Sequence, residues 1–151
     1  MSDPEPSGRL LIDTNVLIYA TLEKDPRHAR AREVLSWRNS SSVELFISVQ
    51  NLAEMYPNLT GPKNKPPDSP GLARRKIESI SRLGGITILP VQFPVQRRAL
   101  ELCERHQIQR QRYSDAQLVA SMLEEGIETI LTENDRDFAD IPEVRAVNPF
   151  V

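Results

Sequence analysis

Short apolar runs punctuate the chain at Leu10-Leu11-Ile12, Leu45-Phe46-Ile47, Ile86-Thr87-Ile88-Leu89 and Thr129-Ile130-Leu131, with Val144 to Val147 as a last edge candidate. The first two of these runs are apolar without alternation, which suits a strand buried on both faces of a parallel sheet. Between the runs, apolar residues recur at helical spacing. The pattern predicts a helix directly after Asp13 (Val16, Leu17, Ile18, Ala20) and one from Asp25-Pro26, a capping residue before a first-turn proline, through Trp37. Further helices are predicted over Val49 to Leu59, Leu72 to Leu83, Pro94 to His106 and Ser114 to Leu123, the last ended by Gly126. Strands alternating with helices in this way predict an α/β fold: a three-layer sandwich with a mainly parallel central sheet flanked by helices, because each parallel crossover needs its helix. Thr60 to Pro70, rich in proline and small polar residues, reads as a mobile connection. Residues 1–8 read as a disordered lead-in, leaving 9–151 as a single domain.

At 151 residues and 39% hydrophobic content the chain can bury a core of ordinary domain size. A net charge of −2 supplies no global basic field, so any contact with nucleic acid has to be local. The lone Cys103 cannot form an internal disulfide and reads as a small core residue, which makes the cytoplasm the natural compartment. No signal peptide is visible, and no run approaches the roughly 18 apolar residues of a membrane span.

Acidic chemistry falls where strands end. Asp13 follows the first apolar run at once, and Glu54 lies in the helix after the second. Asp115 follows Ser114, a residue type suited to an N-cap, and Thr132-Glu133-Asn134-Asp135-Arg136-Asp137-Phe138 follows the fourth run. Alone, Asp13 could be a helix cap and Asp115 a partner of the helix dipole. Ligands of parallel α/β sheets gather at the carboxyl ends of strands, however, and several carboxylates brought to one depression are cheapest to ionise around a divalent cation. Oxygen-only ligands select Mg²⁺ or Mn²⁺, and His28, Cys103 and His106 lack the spacing of a zinc site.

The segments LLIDTNVLIYA (10–20), ISVQNLAEMY (47–56) with LTGPK after it, YSDAQLVASM (113–122) and ILTENDRDF (130–138) resemble, in order and spacing, the four motifs of PIN-domain ribonucleases, specifically VapC-type toxins of toxin-antitoxin pairs. The resemblance spans Leu10 to Pro149 and implies a PIN-like fold. Position by position, Asp13, Glu54 and Asp115 match the family's acids, and Asn15 matches the residue that supports the first of them. Thr14, Ser114 and Thr132 join Asn15 as expected organisers of the site. The fourth acid position falls on Asn134, which leaves open whether Asn134 ligates through its carbonyl oxygen or whether Asp137 or Asp135 supplies the charge.

The activity so implied is Mg²⁺- or Mn²⁺-assisted hydrolysis of RNA phosphodiesters, leaving 5′-phosphate and 3′-hydroxyl ends. One or two ions held by Asp13, Glu54 and Asp115 would activate water and neutralise charge on the phosphate, with Glu54 a candidate general base. An acidic pocket repels a polyanion, so a basic rim is expected; Arg74, Arg75, Lys76, Arg110 and Arg112 are its candidates, and single-stranded loops the expected targets. The resemblance also implies a homodimer silenced by a small cognate antitoxin that directs an arginine at the carboxylates. The alternative is a PIN-like binding module for RNA or protein in which the acids are remnants. Phosphatases with an aspartate nucleophile want a second acid where Asn15 stands, and neither a Gly-x-Ser-x-Gly elbow nor a Walker-type loop is present.

Overall fold

The structure, a computed structural model, describes residues 7–151. Its strands β1 (Gly8–Ile12), β2 (Val43–Ser48), β3 (Ile86–Leu89), β4 (Thr129–Leu131) and β5 (Arg145–Val147) form one sheet in the order β3-β2-β1-β4-β5. Every pairing is parallel, with Leu10 opposite Leu45 on one side and opposite Thr129 on the other. Parallel neighbours force each connection back to the starting end of the sheet. Helices α1 (Thr14–Tyr19), α2 (His28–Ser36), α3 (Val49–Thr60), α4 (Pro70–Ser81), α5 (Phe93–His106) and α6 (Tyr113–Glu124) make most of that return, and a 3-10 turn at Asp135–Phe138 lies on the way from β4 to β5.

Side chains of a strand alternate between faces, and β1 shows it directly. Leu10 and Ile12 join one core with Val16, Leu17, Val34, Leu35, Met55 and Leu59 from α1 to α3, together with Ile80 of α4. Leu11 joins the opposite core with Ala99 and Leu102 of α5 and Val119 and Met122 of α6. The expected sandwich is therefore present, with β1 central and both its faces covered. From β1 the chain builds outward through β2 to β3, then crosses back to place β4 and β5 on the other side. The order reverses between β1 and β4, and the crevice outside such a reversal is where open α/β sheets bind ligands.

Several local expectations are corrected. Helix α2 begins at His28 rather than Asp25, because Asp25-Pro26 forms a turn closed by His28 N–H on Asp25 O at 3.0 Å. The same helix stops at Ser36, and Trp37 opens a 3-10 turn. Ser114 is not an N-cap: the backbone is already helical at Arg112, so α6 starts at Tyr113 and the Ser114 hydroxyl donates to Gln111 O at 3.0 Å. The proline-rich connection is tied down by Asp68 N–H on Leu59 O, Asn64 Nδ2 on the same oxygen, and Lys76 Nζ 2.8 Å from Asp68 Oδ2. Cys103 is only partly buried. Residues 1–6 of the expected lead-in lie outside the described residues, and Gly8 already pairs with Val43 in the sheet.

Ile12 is fully buried, whereas Leu100 on α5 is 56% exposed. Ile12→Ala is expected to lower the unfolding free energy by roughly 2–5 kcal/mol and Leu100→Ala by no more than about 0.5 kcal/mol, as read by urea denaturation.

Candidate functional site

Asp13 stands where β1 ends and α1 begins, with extended backbone that makes it the N-cap of α1. Its Oδ1 accepts from Thr14 N–H at 2.8 Å and Asn51 Nδ2 at 3.4 Å. Its Oδ2 accepts from the Thr132 hydroxyl at 2.7 Å. Donors from three separate elements therefore converge on one buried carboxylate, and none of them carries a positive charge. Burial pushes Asp13 above the usual carboxylate range; the bonds from Thr132 and Thr14 pull the other way, while the charges of Glu54 and Asp137 add to the rise.

The supports of Asp13 are themselves fixed. Thr132, fully buried just beyond β4, also accepts from Asn134 N–H at 3.0 Å and from Asn15 Nδ2 at 3.2 Å. Asn15 Oδ1 in turn accepts Glu133 N–H at 3.0 Å, so α1 grips the loop after β4. On the outer side of that loop the Glu133 carboxylate takes the Tyr19 hydroxyl and Arg27 Nη1, with the Arg27 guanidinium stacked 3.7 Å over the Tyr19 ring. Asn51 has no exposed surface; its Oδ1 accepts Ser48 N–H at 2.8 Å, completing a capping box at the start of α3, while its Nδ2 donates to Thr14 Oγ1 at 3.2 Å.

Glu54 lies one turn further along the same face of α3, with Oε2 3.2 Å from Thr14 Oγ1 and Oε1 3.0 Å from Gln50 Nε2. Asp115 occupies the first turn of α6, and its Oδ2 is 3.8 Å from Arg112 Nε. Burial raises Asp115 to about 6; the charge of Asp137 is the next contribution, and Arg112 opposes both. Asp13, Glu54, Asp115, Asn134 and Asp137 all line one cleft of about 190 Å³, together with Thr14, Asn15 and Gln50. Asp135 does not; it faces a neighbouring depression that shares Asn134 and Asp137. Asp137 lines the cleft beside Asn134, and its charge reaches both Asp13 and Asp115.

Among the described residues, no three His, Cys, Asp or Glu side chains are gathered into a ready ligand set. The acids share a cleft and feel one another's charge, but Glu54 is tied to neutral donors and Asp115 leans toward Arg112. The donor chemistry nonetheless fits a hard divalent cation, since the polar side chains lining the cleft are carboxylates, amides and the Thr14 hydroxyl, all offering oxygen, and burial disfavours the ionised forms of Asp13 and Asp115 without a counter-charge.

The proposed basic rim is less available than residue type alone suggests. Arg74 pairs with Glu78 at 2.8 Å and Lys76 with Asp68, while Arg112 makes a two-pronged bond to Asp140 at 2.7 and 2.8 Å and donates to Asp137 O at 2.9 Å. Arg112 is thus a tether between α6 and the turn carrying Asp137. Arg75 and Arg110 are exposed, and none of the five lines the cleft. Sequence reasoning missed Gln50, Asn51 and Gln117. Gln50 and Glu54 stand four apart on one helix, and Ser48 and Asn51 have capping-box spacing, so part of their role had a local signal.

Because Asp115 binds its proton more tightly folded than unfolded, its contribution to stability is whole below about pH 4 and is lost as the pH rises to about 6. With a chelator present, Asp115→Asn is expected to be more stable than the wild type at pH 7, with the difference shrinking as the pH falls from 6 to 4. Urea denaturation across that range checks this, and a difference that does not vary with pH would contradict it.

A PIN-domain model matches residues 10–144. The fold is similar to VapC20 of Mycobacterium tuberculosis, a toxin described as cleaving the sarcin-ricin loop, at 19% identity over 86% of this chain and 93% of that one, with a TM-score of 0.66. VapBC2 of Rickettsia felis, bound to a promoter DNA fragment, matches at 17% identity over 93% and 98% of the two chains with a TM-score of 0.66. FitAcB of Neisseria gonorrhoeae matches at 21% identity over 93% and 97%, with a TM-score of 0.62. No curated protein sequence matches significantly. With the all-parallel sheet and the match over almost its whole length, the chain belongs to the PIN-domain family.

Proposed function

We propose that this chain is a Mg²⁺- or Mn²⁺-dependent endoribonuclease, the toxin of a toxin-antitoxin pair. The observation that carries the reading is the convergence of Asp13, Glu54, Asp115 and Asp137 on one cleft at the sheet's reversal point, where burial and the neighbouring acids push Asp13 and Asp115 above the usual carboxylate range. Asp13 and Asp115 are the proposed principal ligands, with Glu54, Asp137 and the Asn134 carbonyl oxygen completing the donors for one or two ions. With a divalent cation held there, the site would gain charge neutralisation at the phosphate and a lowered pKa for a bound water.

The residues of the chain set the geometry of that chemistry. Thr132, Thr14 N–H and Asn51 keep the Asp13 carboxylate from swinging, as a partner that orients a ligand must. Glu54, held at both oxygens, is the proposed acceptor for the proton of the attacking water. Exposed Arg75 and Arg110 are the remaining candidates for phosphate contacts away from the acids. Relatives of this fold were crystallised as toxin-antitoxin complexes, one of them from Klebsiella pneumoniae. That supports the proposal of a small antitoxin that places a positive side chain among these carboxylates, acting on a homodimer in the cytoplasm. Among the described residues no helix is long and apolar enough to cross a membrane.

Asp13→Asn and Asp115→Asn are each expected to lower Mg²⁺-dependent RNA cleavage by more than the roughly 10–100-fold that loss of an outer partner costs, with circular dichroism unchanged. Mapping cleavage ends across cellular RNA with the wild type beside Asp13→Asn measures the effect and identifies the substrate. Undiminished cleavage in both variants would refute the assignment; a folded wild type that binds RNA without cutting it would favour a binding module.

A further inference from the structure

Gln50 belongs to none of the acid positions, yet its amide makes three hydrogen bonds, two of them across the cleft. Its Nε2 donates to Glu54 Oε1 at 3.0 Å and to Ser114 O at 2.8 Å, and its Oε1 accepts from Gln117 Nε2 at 2.9 Å. The first contact lies within α3 and the other two reach α6. Ser114 immediately precedes Asp115, so one side chain fastens the Glu54 carboxylate to the backbone beside Asp115. Glu54 and Asp115 repel each other, and Glu54 contributes to the upward shift of Asp115. Thr14 fixes the other oxygen of Glu54, but its hydroxyl reaches only α3, whereas Gln50 spans the cleft to α6. No other side chain type does this as well: Asn is a methylene shorter, Glu has no N–H to donate, and Lys or Arg would place a competing cation among the ligands.

We propose that Gln50, oriented by Gln117, is a positioning residue that sets the separation of the Glu54 and Asp115 carboxylates and through it the affinity of the cleft for a divalent cation. The inference rests on the reading of the cleft as a cation site, and the test separates the two. Mn²⁺ binding to the full chain, with no RNA present, is followed by the electron paramagnetic resonance signal of free Mn²⁺ for the wild type, Gln50→Met and Gln117→Met. Gln50→Met keeps the length and loses the hydrogen bonds; it is expected to bind Mn²⁺ about tenfold more weakly, the scale on which outer-shell partners act. The metal-free urea midpoint, measured alongside, should fall no further for Gln50→Met than for Gln117→Met while its Mn²⁺ affinity falls more, a split that a general structural role would not produce. Gln117→Met is expected to weaken binding in the same direction by less, and it carries the test if Gln50→Met does not fold. Wild-type affinity in both variants would overturn the role of Gln50 while leaving the cation site in place. A wild type that takes up no Mn²⁺ would overturn the site and the inference together.

Discussion

Burying a carboxylate costs free energy that hydrogen bonds recover only in part, and the organisation of this protein follows from where that cost falls. Asp13 is buried at the end of the central strand and is met by a backbone N–H, a threonine hydroxyl and an asparagine amide, all neutral. Those partners bring together the start of α1, the start of α3 and the segment after β4. The same convergence brings Glu54, Asp115 and Asp137 to the cleft, where their charges make the burden on Asp13 heavier. An interior designed for stability alone would place an apolar residue there or pair the charge directly. Several acids around one small cleft, of which among the described residues only Asp115 has a cation within 4 Å, are what the proposed cation site would require.

The fold makes this arrangement possible because β1 is central and the strand order reverses beside it. Side chains leaving the carboxyl ends of β1 and β4 share a crevice, and α3, which follows β2 directly, reaches it from one side. Helix α6 approaches from the other, docked through Val119 and Met122 on the opposite core. The two helices that bring Glu54 and Asp115 are thus anchored on opposite faces of the sheet. Their relative position is set partly by packing and partly by the polar bridge that joins Gln50 to Ser114 and Gln117. Arg112 plays a related part at the far lip, where its bonds to Asp140 and the Asp137 carbonyl hold the 3-10 turn against α6.

Much of this was legible before the structure. An apolar run ended abruptly by Asp13, and acids on helices that begin at the same sheet edge, carry their meaning locally, because period and strand polarity dictate where they point. The supporting amides do not. Gln50 meets Gln117 across a separation of 67 positions and Asn51 meets Asp13 across 38, and a short polar side chain gives no sign of so distant a partner. The cap expected at Ser114 failed because a 3-10 turn at Arg110–Arg112 already supplies helical backbone, which residue preference cannot anticipate. The same blindness affects Arg112 and Lys76, whose charges are taken up by Asp140 and Asp68. Charge read along a chain counts cations without showing which of them are already neutralised.

Whether Asp13 and Asp115 share one cation is a matter of position, which a crystal soaked in Mn²⁺ reveals. An anomalous scattering peak is expected inside the cleft, at inner-sphere distance from carboxylate oxygens of Asp13 and Asp115, and it is expected to disappear in Asp13→Asn. A saturating soak that leaves the cleft without a peak, or places Mn²⁺ only on acids elsewhere on the surface, would contradict that expectation.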